Sequence, residues 1–222
     1  MNSEPRDKRL RLLVHKLNIE RKRQAQKIDI LCNDLIGAQR QFINKLRIIS
    51  FIANFYESLL GIADLSTLLD TASRLIKDEI PNVSVTFFLR QSDNFELHMF
   101  ESEPPLVLGK HHLEDCFTAE LVEGICQSNK LCSLDEMFAM GLEGNLAELS
   151  KISAVAVPLG GLGQSLGFIL MYRCSQEQLT SQESNRVSSI TCGLGRAIQS
   201  CRRQLQPVNG AKTAAPKPPN HH

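Results

Sequence analysis

The chain is 222 residues long, and its 25 Lys and Arg against 24 Asp and Glu leave a net charge of +1, which excludes a uniformly polybasic nucleic-acid binder and an acidic tail protein. A hydrophobic content of 42% with 22% charged residues suits one globular core plus an appendage, not a disordered chain. No apolar run reaches the roughly 18 residues of a membrane span, and the charged residues 1–11 lead into no signal-type apolar stretch, so the expectation is a cytoplasmic protein with no membrane partner.

Residues 1–60 read as a basic helix. From Lys8 to Leu60 there is no proline, and apolar residues recur at alternating steps of three and four: Leu10, Val14, Leu17, then Ile28, Leu31, Leu35, Ala38, Phe42, Ile49, Ile52 and Tyr56. Gln24, Arg21 and Lys45 interrupt the series. Such a repeat is a coiled-coil seam. A helix of about 50 residues is roughly 75 Å long, and its stripe must be covered by a partner chain or by its own globular domain. A homodimer is the expected solution, with Leu17, Ile28, Leu31, Leu35, Phe42, Ile49, Ile52 and Tyr56 as the seam.

Residues 61–203 alternate helical and strand patterns. Leu65, Leu68, Leu69, Ala72, Leu75, Ile76 and Ile80 repeat at helical spacing, with Asp64 as N-cap and Pro81-Asn82 as stop. Residues 83–90 and 95–101 follow as two β-rich runs around the polar Gln91-Ser92-Asp93-Asn94, a hairpin pattern. Pro104 and Pro105 open an irregular stretch, and Phe117, Leu121 and Ile125 mark a short helix within 116–127. Residues 131–151 read as a loop with one or two helical turns. Strands are predicted over 152–159 and 165–173, around a glycine-rich turn at 160–164. Thr180-Ser181-Gln182-Glu183 has capping-box spacing and opens a helix that places Val187, Ile190, Leu194, Ala197 and Cys201 on one face. Residues 204–222, rich in Ala, Pro and Lys, cannot form a core and read as a disordered tail.

The order helix, hairpin, short helix with loops, hairpin, long helix gives an α+β class: an antiparallel sheet flanked by helices and preceded by a long N-terminal coiled-coil helix. Three stretches resemble a GAF domain. They are Asp64-Leu65-Ser66-Thr67-Leu68-Leu69 leading to Val83-Ser84-Val85-Thr86-Phe87-Phe88-Leu89; the pair Ala154-Val155-Ala156-Val157-Pro158-Leu159 and Leu166-Gly167-Phe168-Ile169-Leu170; and Leu179-Thr180-Ser181-Gln182-Glu183 feeding the last helix. The resemblance covers roughly residues 60–201. It implies a sensory module that binds a small molecule or is purely structural, dimerises through flanking helices and is coupled to a downstream signalling protein.

The constellations that could carry chemistry are weak. Cysteine attaches the chromophore in tetrapyrrole-binding relatives, often with histidine following; here Cys116 has no histidine after it, and His111-His112 precede it. The signature of cyclic-nucleotide-binding relatives is missing. His111, His112, Cys116, Cys126 and Cys132 match no closely paired zinc-ligand spacing, so no metal and no cofactor is expected. The seven cysteines read as reduced, and mostly as small buried hydrophobes. Some GAF-fold proteins reduce methionine sulfoxide through cysteines; Cys126 lacks the glycine framing of those sites, so no catalytic residue is assigned and the chain is read as a non-enzyme. Gly160-Gly161-Leu162-Gly163 precedes a strand, which suits a turn and not a phosphate cradle.

Two alternatives to a signalling module stay open: a thiol reductase of this fold, and a nucleic-acid-associated dimer. The second would use Arg6, Lys8, Arg9, Arg11, Lys16, Arg21, Lys22, Arg23 and Lys27, although no recognised basic-region motif is present and nucleic acid is not the expected partner. For a small-molecule ligand, alternation along the first hairpin groups Val83, Val85, Phe87 and Leu89 with Phe95, Leu97 and Met99 on a helix-packed face. The opposite face then holds Ser84, Thr86, Phe88 and Arg90 with Glu96, His98 and Phe100. From this mixed face Thr86, Phe88, Arg90, His98 and Phe100 are the pocket candidates.

Overall fold

The computed structural model describes residues 4–91, 94–100, 113–161 and 164–205. Helix α1 runs over Glu4–Leu59 without interruption. The chain divides into two compact units between Ser50 and Phe51. This boundary lies earlier than the 60/61 division suggested by sequence, because the last turns of α1 belong to the core: Phe51, Phe55 and Leu59 are all buried there.

Helix α2 (Leu65–Glu79) starts where expected. Asp64 caps it, its carboxylate accepting the Thr67 N–H at 2.7 Å, and Ile80 closes it just ahead of Pro81. Strands β1 (Ser84–Gln91) and β2 (Asn94–Phe100) form the first hairpin. A short 3-10 turn, Leu113–Cys116, leads to α3 (Ala119–Ser128), capped by Thr118 and ended by Asn129 in the left-handed conformation. Residues 131–151 contain more order than the sequence suggested. Strand β3 (Cys132–Ser133) pairs with the sheet, and Ser133 and Glu136 close a capping box on α4 (Leu134–Ala139), which a one-turn helix α5 (Leu146–Leu149) follows. Strands β4 (Ile152–Gly161) and β5 (Gln164–Cys174) form the second hairpin. The predicted capping box opens α6 (Ser181–Leu205): Thr180 N donates to Glu183 Oε2 at 2.7 Å, and Glu183 N returns to Thr180 Oγ1 at 3.2 Å.

The five strands form one antiparallel sheet in the order β2-β1-β5-β4-β3. Its two faces bury separate cores. One combines Val85, Phe87, Leu89, Val157, Ile169 and Met171 with α2, α6 and the last turns of α1. The other combines Phe88, Phe168, Leu170, Tyr172, Ala154 and Ala156 with α3, α4 and α5. Gly167 lies at φ +131° where β5 meets β1, and a Cβ there would stand 1.8 Å from the Phe88 carbonyl oxygen. Only glycine permits that approach.

Arg173, 8% exposed on β5, ties down one corner. It donates to the carbonyls of Glu177 at 2.5 Å, Gln178 at 2.8 Å and Pro81 at 3.4 Å, and to Glu183 Oε2 at 3.0 Å. The expected tail falls almost wholly outside the described residues; its first two positions, Gln204 and Leu205, end α6.

Candidate ligand face and helix seam

The hairpin register sorts the pocket candidates onto two faces. Gln91 pairs with Asn94, so Val85 lies opposite Phe100, Phe87 opposite His98 and Phe88 opposite Leu97. Directly paired residues share a face. His98, Phe100 and Glu96 therefore lie on the α2/α6 side with Val85, Phe87 and Leu89, while Thr86, Phe88 and Arg90 keep company with Phe95, Leu97 and Met99. This reverses the grouping expected for β2. The tight connection pairs odd-numbered residues of β1 with even-numbered residues of β2, which alternation along each strand alone does not reveal.

On the α2/α6 side, Phe100 packs edge-on against Phe87, with ring centroids 5.7 Å apart. His98 Nε2 lies 3.2 Å from Glu96 Oε1 without hydrogen-bond alignment. From α6, Arg202 Nη1 donates to the Arg90 carbonyl at 2.6 Å. These groups join α6 to the edge of the sheet.

The α3/α4 side carries the remaining candidates. Phe88 stacks on Phe168 at 4.6 Å, and Phe117, delivered by the residues leading into α3, lies 5.1 Å from Phe88. Arg90 pairs with Glu123 of α3, and its guanidinium sits 5.8 Å from the Phe95 ring centroid. The hydrogen bond between the pair raises the arginine and lowers the carboxylate relative to their ordinary values. Thr86, 2% exposed, donates its hydroxyl to Glu114 Oε1 at 2.5 Å. Glu114 is itself buried, and sequence reasoning passed over it because nothing in Leu113-Glu114-Asp115-Cys116 marks one acid as inward. A cleft of about 390 Å³ opens beside the same 3-10 turn, bounded by Asp115, Cys116, Thr118, Glu143, Asn145 and Glu148 among others.

The thiols of this region are not activated. Burial pushes Cys132 up to about 11 and raises Cys126, both being almost inaccessible; Cys116 is raised by burial and then by Asp115, Glu114 and Glu148. A nucleophilic cysteine needs the opposite shift. No group of three His, Cys, Asp or Glu among the described residues is placed to hold a metal ion. His111 and His112 lie outside the described residues.

In α1, Leu17, Ile28, Leu31, Leu35, Phe42 and Ile49 are all exposed, at 59–69% of their full surface. Ile52 and Tyr56 differ. Both pack partly against the core, and Tyr56 is seated on α6, where a Cβ at Gly193 would lie 2.2 Å from its ring and where its hydroxyl donates to the Ile190 carbonyl at 3.4 Å. Of the eight residues expected to form a seam, Ile52 and Tyr56 are thus taken up by the domain. No helix among the described residues is long and apolar enough to cross a membrane.

No protein-family model and no curated protein sequence matches the chain. Solved structures do match. A GAF domain of a phosphoenolpyruvate-protein phosphotransferase from Coxiella burnetii superposes with a TM-score of 0.54 at 13% identity, over 72% of this chain and 96% of that one. Free methionine-R-sulfoxide reductase from Neisseria meningitidis, in complex with its substrate, gives 0.51 at 15% identity, over 71% and 92%. The chromophore-binding domain of a Stigmatella aurantiaca bacteriophytochrome gives 0.50 at 11% identity, over 69% and 60%. At such identities the likeness establishes the fold alone, and that fold is the one the three sequence stretches resemble.

Proposed function

The chain carries the GAF fold, and on that fold we propose a non-enzymatic, cytoplasmic signal-transduction module. Two copies join through a parallel coiled coil along α1, a small molecule or partner protein binds at the α3/α4 face, and the change passes through α1 and α6 to a downstream signalling protein. One observation carries this reading: a single helix presents an unpaired apolar seam from Leu17 to Ile49 and then buries Phe51, Phe55 and Leu59 in the domain core. Covering a seam side chain is worth about 1.5–3 kcal/mol when burial is complete, so six exposed seam residues supply ample reason to associate. The small-molecule part draws support from the Neisseria reductase, solved in complex with its substrate, and from the chromophore-binding domain of Stigmatella. The raised thiols at Cys126 and Cys132 favour the non-enzymatic form over a reductase.

Light scattering on the full chain at micromolar concentration tests the dimer. The expected mass is twice that of one chain, and Leu35→Asp with Phe42→Asp returns it to one without loss of domain folding. A wild-type protein that scatters as single chains overturns the reading. The basic face of α1, exposed from Lys8 to Lys27, is what a nucleic-acid-bound dimer would use. Leu10, Val14 and Leu17 carry the apolar series into that segment beyond the interruptions at Arg21 and Gln24, which favours paired helices that stay closed where a basic zipper must fork.

A further inference from the structure

The apolar surface of α1 does not keep to one heptad position along its length. Ile28, Leu35, Phe42 and Ile49 share one position; three residues after each of the first three come Leu31, Ala38 and then Lys45. Four residues after them come Cys32, Gln39 and then Leu46. Leu46, with Ile36 and Ile43 beside it, is 44–47% exposed, whereas the residues one and two heptads before Ile36 are Asp29 and Lys22. The apolar stripe therefore moves round the helix between residues 36 and 46.

The last turns of α1 give a second reason for the move. A seam continued from Ile49 at unchanged spacing needs Ile52 and Tyr56, and both pack against the domain core. Ala53, four residues after Ile49, is exposed, as are Ser50, Asn54 and Glu57.

We propose that two copies of this chain pair through a seam with a stutter. It runs through Leu31, Leu35, Ala38 and Phe42, then shifts by a second successive step of four to Leu46, Ile49 and Ala53. The inference rests on the reading that α1 forms a parallel dimer, and gives that dimer its register. Leu35 to Leu46 and Phe42 to Ala53 each span eleven residues in three turns, so the left-handed supercoil unwinds there and the pair runs nearly straight. Exchanging Lys45 for Leu46 turns the contacted face by about 50° and leaves the ammonium in water, where a continuous heptad would bury two of them together.

A second copy fits this path because parallel identical helices set Leu46 opposite Leu46, so the shift on one is matched on the other. At about 60–120 Å² for each large side chain taken from water, the exposed apolar residues on the path from Leu10 to Ile49 offer about 500–1,000 Å² per chain. A stable interface needs roughly 800 Å² per partner.

The test uses the full chain with the exposed Cys32, Cys174 and Cys192 replaced by serine, its mass first measured by light scattering. Lys45→Cys, Leu46→Cys and Ile49→Cys are then introduced singly and oxidised under mild conditions. Ile49→Cys, in the seam under either spacing, should cross-link, and Leu46→Cys should do so about tenfold faster than Lys45→Cys. Leu46→Lys should weaken the dimer about 100-fold or more, because both copies lose a buried leucine. Lys45→Cys cross-linking as fast as Leu46→Cys, or Leu46→Lys leaving the dimer intact, overturns the stutter with the dimer standing. A dimer that none of the three cysteines cross-links overturns it as well. A parent chain that scatters as single molecules at micromolar concentration removes dimer and stutter together.

Discussion

Tyr56 and Gly193 form the contact at which α1 and α6 meet, and its energetics can be worked out in advance. Gly193 lies inside α6, where Gly→Ala in a free helix gains about 1 kcal/mol. Here the added methyl would stand 2.2 Å from Tyr56 Cε1, 2.5 Å from Cζ and 2.6 Å from the hydroxyl. A ring wedged between two helices relieves such overlap only by moving as a whole, and overpacking of this kind costs about 1–3 kcal/mol. Losing the long hydroxyl contact to the Ile190 carbonyl adds a few tenths. Gly193→Ala should therefore destabilise the domain by about 1–2 kcal/mol net, lowering its melting temperature by about 3–6 °C. In a Tyr56→Leu background the overlap disappears and the helix-propensity gain remains, so the same substitution should become stabilising by up to about 1 kcal/mol. Urea denaturation of the four proteins in the cycle gives the coupling, expected near 2 kcal/mol with a change of sign. A Gly193→Ala protein more stable than its parent in both backgrounds would show that the ring does not occupy the notch.

Gly167→Ala is a harsher change, because the new methyl meets the Phe88 carbonyl, a backbone atom that no rotamer can move; it should cost more than about 3 kcal/mol and leave no cooperative unfolding transition at the wild-type midpoint. Burial pushes the Glu183 carboxyl up, but hydrogen bonds from the Thr180 N–H and O–H and from Arg173 outweigh it and hold the group below the ordinary carboxylate value. A depressed group contributes stability that is complete above about pH 4.5 and is lost as pH falls through its folded-state value. Glu183→Gln should thus lower stability at pH 7 by about 1–3 kcal/mol and flatten the decline below pH 4.5, whereas a curve parallel to wild type contradicts the assignment. Exposed Cys32, Cys174 and Cys192 should react with iodoacetamide at pH 7 while buried Cys126, Cys132 and Cys201 stay unmodified until the protein unfolds. Fast modification of Cys126 in the folded state would reopen the reductase reading.

Helix α2, both hairpins and α6 were legible because local chemistry and hydrophobic period agree there: Asp64 and Thr180 cap where an apolar stripe begins, and the strands carry β-branched and aromatic residues between turn formers. Over 131–151 the expected one or two helical turns are present as α4 and α5, while strand β3 and the capping box spelled by Ser133-Leu134-Asp135-Glu136 went unread, since α4 spans only six residues, too few for a helical period to emerge. The candidate face was half legible. Alternation identified Thr86, Phe88 and Arg90 as a group, but which β2 residues join them depends on the hairpin register. Ile52 and Tyr56 fit the heptad as well as Ile49 does, and only the packing of α6 separates them. Glu114 left no trace in sequence, because its inward orientation follows from where the 3-10 turn crosses Thr86.

Arg173 ties three stretches of chain together: the approach to β1 at Pro81, remote in sequence, the loop after β5 at Glu177 and Gln178, and the first turn of α6 at Glu183. A planar guanidinium can fork to all of them, which an ammonium with its three donors cannot do. The corner should therefore open as one cooperative unit, its amide protons exchanging with a similar opening free energy in hydrogen-exchange measurements.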